Sequence, residues 1–183
     1  LLVVNASNIE KDWNYVVKNN NNDVNISNAS DNISQLAIQG PLALKAMQKL
    51  TSENIEDMKY YTFKEINFAG VDNVIFSTTG YTGSGGCEIY MNNKDVEKIY
   101  DEVLKAGSEH GIKPIGLAAR DTLRLESGFC LYGHEINDST SPISAGLGWI
   151  TKFSEGNNFL DRELFEYQKN NGIQMSLKGF VME

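Results

Sequence analysis

The sequence contains few residues of the kinds that cross-link small folds or bind metals. Its 183 residues include two cysteines, two histidines and three prolines. Cys87 and Cys130 stand far apart in apolar surroundings, without the spacing of a metal site. We therefore expect buried free thiols in a reducing compartment rather than a disulfide framework. His134 and Glu135 lack a metal-binding spacing as well, so the sequence predicts no metal site.

Positive charge and long apolar runs are also scarce. Sixteen lysines and arginines stand against 24 aspartates and glutamates, which gives a net charge of -8 and a pI near 4.8. A nucleic acid or an anionic membrane attracts a basic surface, and the sequence has no cluster of basic residues. No apolar run has the length of a membrane span. We therefore expect neither a nucleic-acid partner nor a membrane partner.

Common nucleotide-binding and hydrolase signatures are missing. The sequence has no Gly-Lys-Ser/Thr phosphate loop and no G-x-G-x-x-G turn after a strand. It has no G-x-S-x-G elbow either. The apolar fraction of 41% is nevertheless enough for a substantial core, which indicates a soluble globular protein of another class.

Short strand-like runs and amphipathic segments are interspersed along the chain. Strands are predicted at residues 1–4, 24–26, 34–39, 62–68, 71–77, 87–91, 146–151 and 177–182, and helices up to residue 19, after residue 41, and at 94–109, 116–127 and 161–170. This pattern is typical of the α+β class, with an antiparallel sheet and packed helices. Because natural domains seldom begin and end in a strand, we expect residues 1–183 to be one piece of a longer protein, with a sub-boundary near residues 40–60.

A glycine-rich segment joins two of the predicted strands. It reads TTGYTGSGGCEIY over residues 78–90, with glycine at positions 80, 83, 85 and 86. So much glycine indicates backbone at positive φ, or backbone against which a ligand lies. Tyr81 and Glu88 flank the segment and can hold a flat, nitrogen-rich heterocycle, because the ring stacks and the carboxylate accepts paired N–H donors. The alternative is an ordinary hairpin loop with a buried tyrosine and a surface glutamate.

The predicted helix at residues 116–127 carries two arginines on one face. Arg120 and Arg124 are four residues apart, so a helix places them side by side. Such a pair can serve a binding site, or it can form ion pairs with acidic neighbours such as Asp121 and Glu126. The residues alone leave both interpretations open.

Four separated strings occur in an order that is similar to a known family. They are LLVVNASN at residues 1–8, LAIQGP at 36–41, GYTG at 80–83 with the later Glu88, and GLAARDTLRLESGFCLYGHEI at 116–136. Together they resemble the aminomethyltransferase (T-protein) family of the glycine cleavage system, and the similarity extends from Leu1 to about Phe165. The resemblance implies the central part of a three-domain protein that binds tetrahydrofolate in a central cavity, without its N-terminal segment and C-terminal β-barrel.

The resemblance also implies roles for individual residues. Glu88 matches the carboxylate that holds the folate, Tyr81 matches an aromatic residue of the pocket wall, and Arg120 matches a substrate-site arginine, whereas Arg124 stays structural. Three further positions match the surroundings of the site: Asn5, Phe129 and Trp149. Residues 84–87, Ser-Gly-Gly-Cys, depart from the family, in which two acids and an aromatic residue often precede the glutamate.

The implied reaction moves a methylene group from the aminomethyl-dihydrolipoyl arm of the carrier H-protein to tetrahydrofolate and releases ammonia. The family's key aspartate matches a position upstream of Leu1, so we expect no catalytic residue in this chain and no turnover from the chain alone. The resemblance implies H-protein and tetrahydrofolate as partners. It also implies a location in the bacterial cytoplasm, or in mitochondria if the source is eukaryotic.

Related functions remain as alternatives. Folate-binding proteins that support iron–sulfur enzymes carry a cysteine motif where this chain has NFLDRE at residues 158–163, without cysteine. Folate-coupled demethylases share the fold, but the LYGHEIND string at residues 131–138 is closer to the glycine system. A non-catalytic folate-binding or scaffold module is the alternative from a different functional class.

Overall fold

The computed structural model describes residues 1–22 and 24–181. The residues form two units, Leu1–Leu123 and Arg124–Glu183. The sub-boundary expected near residues 40–60 stays a prediction.

A four-stranded antiparallel sheet lies in the first unit. Its strands are β1 (Ile33–Gln39), β2 (Phe63–Phe68), β3 (Val71–Ser77) and β4 (Gly86–Asn92). Their order across the sheet is β1-β4-β3-β2, and all neighbours are antiparallel. Ala69 and Gly70 connect β2 to β3 with φ values of 53° and 70°, the backbone that a tight hairpin turn requires. The predicted α+β class with an antiparallel sheet and packed helices is confirmed.

The two faces of the sheet differ in chemistry. Because side chains alternate along a strand, apolar residues such as Ile38, Phe76 and Ile89 share one face and are buried. Helices α2 (Ala43–Met47) and α3 (Val96–Gly107) contribute to the same core. The intervening residues of β1 and β4 include glutamine, glutamate and tyrosine, and they lie on the opposite face. The candidate site is built on that face.

The described residues form three further α-helices of ten residues each: α1 (Ile9–Lys18), α4 (Leu117–Glu126) and α5 (Arg162–Asn171). Asn5 caps the 3-10 turn before α1, because its side chain accepts a hydrogen bond from the Ser7 backbone N–H.

Four predicted strands are wrong. Residues 1–4 and 24–26 form no strand and have no paired strand among the described residues, and Leu1 is 74% exposed. Residues 146–151 form turns, because Gly146 has a φ of 75° and the Ile150 N–H donates to the Leu147 carbonyl. Residues 177–181 are irregular, with the Leu177 N–H bound to the Ser144 carbonyl. The last predicted residue of that strand, at position 182, lies outside the described residues.

Gly111 ends the 3-10 turn Ser108–His110 that follows α3, and its left-handed backbone can be tested by substitution. It has a φ of 72° and a ψ of 29°, and an added Cβ would meet no atom within 4 Å. Gly111→Ala should therefore cost only the left-handed strain, about 1 kcal/mol in the free energy of unfolding. Urea unfolding measures the change. Gly116→Ala is the matched control, because Gly116 has equal space and no positive φ, and an equal loss in both variants would contradict the prediction.

Candidate functional site

Glu88 lies in a hydrogen-bond network on the polar face of the sheet. The Gln35 side-chain N–H donates to Oε1 of Glu88 at 3.0 Å. The Thr79 hydroxyl donates to Oε2 at 2.6 Å, and the Tyr90 hydroxyl donates to the same oxygen at 3.2 Å. A carboxylate has about four acceptor positions. These three bonds therefore use most of them and leave about one on Oε1.

Tyr90 connects the network to the strand pairing. It lies opposite Gln35 across β1 and β4, and its phenol oxygen is 3.5 Å from Nε2 of Gln35. Burial, reinforced by the Glu88 carboxylate, raises the pKa of Tyr90 to about 12. The phenol therefore keeps its proton at neutral pH and acts as a donor to Glu88.

Tyr81 and Arg120 lie together beside this network. The guanidinium carbon of Arg120 is 5.0 Å from the centre of the Tyr81 ring, which is within cation–π distance. Both residues are half-buried. Arg120 is also near enough to Tyr90 to oppose the rise in the pKa of that phenol. The first unit thus brings together three predicted site residues, Tyr81, Glu88 and Arg120.

Glycine is needed in the β3–β4 loop and at the first position of β4 for two different reasons. Gly83, Gly85 and Gly86 have φ values of 68°, 73° and 126°, which a residue with a side chain rarely adopts. Gly80 has no positive φ, but a Cβ at that position would overlap the Gln39 side chain. The expectation of positive φ is confirmed at three glycines, and the fourth is explained by a neighbouring side chain rather than by a ligand.

An open groove of about 620 Å³ reaches the same network. Gln35 and Tyr90 line one part of it, and apolar residues line much of the rest, including residues 1–4 and Ile9, Trp13 and Val16 of α1. Its volume is in the range of small-molecule sites. The candidate site is therefore a carboxylate network next to an apolar groove, the combination that a flat heterocycle with N–H donors requires.

The other predicted site residues have different surroundings. The Asn5 side chain accepts hydrogen bonds from the Ser7 N–H at 3.0 Å and the Ser7 hydroxyl at 2.6 Å. Phe129 and Trp149 belong to the second unit. Phe129 is half-buried, whereas Trp149 is 65% exposed and lies in a turn. Their assignment to a folate cavity stays a prediction.

Arg124 has an ion-pair partner that the sequence did not suggest. Its side chain is 3% exposed and lies 2.6 Å from Oε2 of Glu135. It also donates to the Phe129 carbonyl at 3.2 Å, and the Leu131 N–H donates to the same Glu135 oxygen at 2.9 Å. These bonds hold the turn after α4, which is a structural role.

The Arg124–Glu135 pair predicts a pH dependence of stability. The hydrogen bond from Arg124 lowers the pKa of Glu135 from 4.5 to about 2, against the effect of burial. A carboxyl with a lowered folded-state pKa contributes stability above its unfolded value. That contribution should disappear as the pH falls from about 4.5 to about 2, with a loss of about 2 kcal/mol after allowance for solvent screening.

Urea unfolding at a series of acidic pH values measures this contribution. Glu135→Gln removes the titrating group and keeps an acceptor, so its stability should vary less over the same interval. Identical pH profiles for the two proteins would contradict the prediction.

Neither a metal-binding group nor a membrane-spanning helix occurs among the described residues. Within residues 1–22 and 24–181, no group of three or more His, Cys, Asp or Glu side chains is placed to hold a metal ion. Over the same part of the chain, no helix combines the length and apolar character that crossing a membrane requires.

The chain is similar to known proteins over most of its length. Residues 1–155 match the family described as the GCVT N-terminal domain. The chain belongs to this family. The GCVT chain is 59% identical over 182 residues to the aminomethyltransferase of Bacteroides fragilis, covering 100% of the chain and 50% of that relative. It is 46% identical over 184 residues to the aminomethyltransferase of Caldanaerobacter subterraneus subsp. tengcongensis, covering 100% of the chain and 49% of the relative.

A solved structure supports the same family. The crystal structure of the glycine cleavage system aminomethyltransferase T from Bartonella henselae matches the GCVT chain with a TM-score of 0.75 and 26% identity, covering 92% of this chain and 45% of that one. The resemblance to the T-protein family is confirmed. The GCVT chain spans about half the length of the curated relatives it matches.

Four residues of the GCVT site region did not emerge from the sequence: Gln35, Gln39, Thr79 and Tyr90. A signal was nevertheless present. The two glutamines alternate with Leu36 and Ile38 along β1, so a strand places both on the face opposite the core. Tyr90 is two residues from Glu88 on β4 and shares its face for the same reason.

Proposed function

We propose that the whole protein to which this GCVT chain belongs is the aminomethyltransferase of the glycine cleavage system. It moves the methylene of an aminomethyl group from the dihydrolipoyl arm of H-protein to tetrahydrofolate. The methylene carbon exchanges its bonds to sulfur and to the amino nitrogen for bonds to two folate nitrogens, so that ammonia and the dihydrolipoyl thiol leave. The proposed location is the bacterial cytoplasm, or mitochondria if the source is eukaryotic.

The observation that carries this proposal is the network around Glu88. A pterin presents an amino group and a ring N–H side by side, and a carboxylate accepts such a pair with its two oxygens. Oε1 of Glu88 has about one acceptor position left. A bond to Oε2 displaces the Tyr90 hydroxyl, whose 3.2 Å contact is longer than the 2.6 Å contact of Thr79. The residues present therefore fit the ligand with one local rearrangement.

The remaining site residues have supporting roles in this proposal. The Tyr81 ring forms part of the pocket wall, and its contact with the Arg120 guanidinium at 5.0 Å holds that cation near the site. Arg120 supplies N–H donors to substrate oxygen atoms. Three further contributors to the cavity are proposed: Asn5, Phe129 and Trp149. The aspartate of the chemical step is proposed to match a position upstream of Leu1, so no proton transfer is assigned to the described residues.

Titration of tetrahydrofolate into the full-length protein tests the binding part of this proposal. Calorimetry under reducing, anaerobic conditions should show binding by the wild type and a large loss in Glu88→Ala. Binding that is unaffected by Glu88→Ala would contradict the assigned site. Binding without any ammonia release from aminomethylated H-protein would instead favour a non-catalytic folate-binding module or a demethylase relative.

A further inference from the structure

Gln39 contacts the β3–β4 loop near its beginning and in its middle, and it also contacts the start of β4. Its side-chain Nε2 is within hydrogen-bond distance of three carbonyl oxygens: Thr79 at 3.2 Å, Cys87 at 3.1 Å and Ile38 at 3.3 Å. Its Oε1 accepts the Thr82 hydroxyl at 2.9 Å. One neutral side chain at the end of β1 therefore joins two points of this loop and the start of β4, which lie 40 to 48 positions later in the chain.

The three contacts flank the two proposed ligand residues. Thr79 precedes Tyr81 by two positions, Thr82 follows it directly, and Cys87 directly precedes Glu88. The described side-chain hydrogen bonds of Gln39 go to the carbonyls of Ile38, Thr79 and Cys87 and to the Thr82 hydroxyl, not to the Glu88 carboxylate. Gln39 thus acts on the position of the site residues and not on the ligand.

The loop is shaped to accept this side chain. A Cβ on Gly80 would overlap the side-chain amide of Gln39. A Cβ on Gly86 would first meet the backbone of β1, at the Ile38 carbonyl oxygen and at the Gln39 Cα 2.8 Å away, and would lie 3.1 Å from Nε2 of Gln39. Gly86 is also the direct partner of Gln39 in the β1–β4 pairing. Gly80 therefore makes room for the glutamine amide, and Gly86 allows the close approach of the β1 backbone that carries it, which is the arrangement expected of a fixed contact and not of an incidental one.

We propose that Gln39 is a positioning residue that fixes the separation and orientation of Tyr81 and Glu88 for folate binding. This inference rests on the proposed function. Small displacements of preorganised groups weaken binding because the ligand must then order the loop itself. Loss of the Gln39 bonds should therefore weaken folate binding more than it weakens the interaction with H-protein.

Gln39→Met in the full-length protein is the direct test, because methionine has a similar length and lacks the amide. The Kd for tetrahydrofolate should rise about 10-fold, the equivalent of one or two lost hydrogen bonds. The KM for aminomethylated H-protein should stay unchanged.

Gln48→Met is the matched control. Gln48 is another half-buried glutamine of the same unit, and its amide also binds loop backbone, through the Thr51 and Glu53 carbonyls and the Ile55 N–H. It should lower the melting temperature about as much as Gln39→Met does, but leave the folate Kd within about 2-fold of wild type. Equal weakening of folate binding by both variants would show a general stability effect and overturn the proposal.

A double-mutant cycle with Gly80→Ala provides the second readout. Gly80→Ala alone should weaken folate binding because its Cβ displaces Gln39. The same substitution added to Gln39→Ala should have little further effect, since the overlapping side chain is gone. Additive effects would overturn the proposal.

Glu88→Gln in parallel separates the two hypotheses. If it leaves folate affinity unchanged, the proposed site fails. If it weakens affinity while Gln39→Met does not, the positioning role alone is wrong.

Discussion

Arg124→Ala should lower the free energy of unfolding by about 3 kcal/mol, because it removes one partner of a largely buried ion pair. The Arg124 side chain is 3% exposed and contacts Glu135 at 2.6 Å and the Phe129 carbonyl at 3.2 Å. The substitution leaves the Glu135 carboxylate without its charged partner, with hydrogen bonds from the backbone N–H groups of Leu131 and Glu135. Urea unfolding of the full-length protein measures the loss.

Arg120→Ala is the matched control for that experiment. The two arginines are one helical turn apart, but Arg120 is half-buried and stacks on Tyr81, a contact of about 0.5–1 kcal/mol. Arg120→Ala should therefore change the free energy of unfolding little and weaken folate binding strongly. Arg124→Ala should lower the free energy of unfolding strongly and change folate affinity little. Adding Glu135→Gln to Arg124→Ala should recover part of the lost stability, because the unpaired charge is removed. The opposite ranking of the two arginines would show that Arg124, and not Arg120, serves the site.

Glu88→Gln should weaken tetrahydrofolate binding by about 1.5–3 kcal/mol, which corresponds to a rise in Kd of about 10- to 150-fold. The substitution removes a charged acceptor and places an amide N–H among donors from Gln35, Thr79 and Tyr90. The carboxamide therefore loses affinity for paired N–H donors of a ligand and also disturbs the network.

Calorimetric titration under anaerobic conditions gives the two dissociation constants. Glu97→Gln, an exposed position in the first turn of α3, controls for the change in net charge. If Glu88→Gln binds folate as tightly as wild type, Glu88 is not the pterin contact.

The sheet was predictable because its strands have local signals. The runs that form β1 to β4 begin and end within two residues of the predicted bounds, since alternation along each strand matches burial on one face. The proximity of Tyr81 to Arg120 was implied by the family resemblance and not by the spacing of the residues. Residues nearly 40 positions apart come together through the fold, which local patterns do not encode.

The wrong strand predictions and the missed site residues both depend on contacts and backbone geometry that the local sequence pattern does not contain. Residues 1–4 are as apolar as a buried strand, yet a strand needs a paired neighbour for its backbone, and the described residues supply none. Trp149 follows Gly146, whose φ of 75° interrupts an extended run. The sequence indicates only a strand position for Gln35 and Gln39, because the partners that give them their roles lie on β4 and the β3–β4 loop.

Ammonia release by the full-length protein is the most direct test of the proposed function. The assay supplies H-protein carrying the aminomethyl group, with and without tetrahydrofolate, and compares wild type with Glu88→Gln. The proposal predicts rapid release that depends on both substrates and is slowed in the variant at low folate concentration. Folate binding with no ammonia release from the aminomethylated carrier would contradict it.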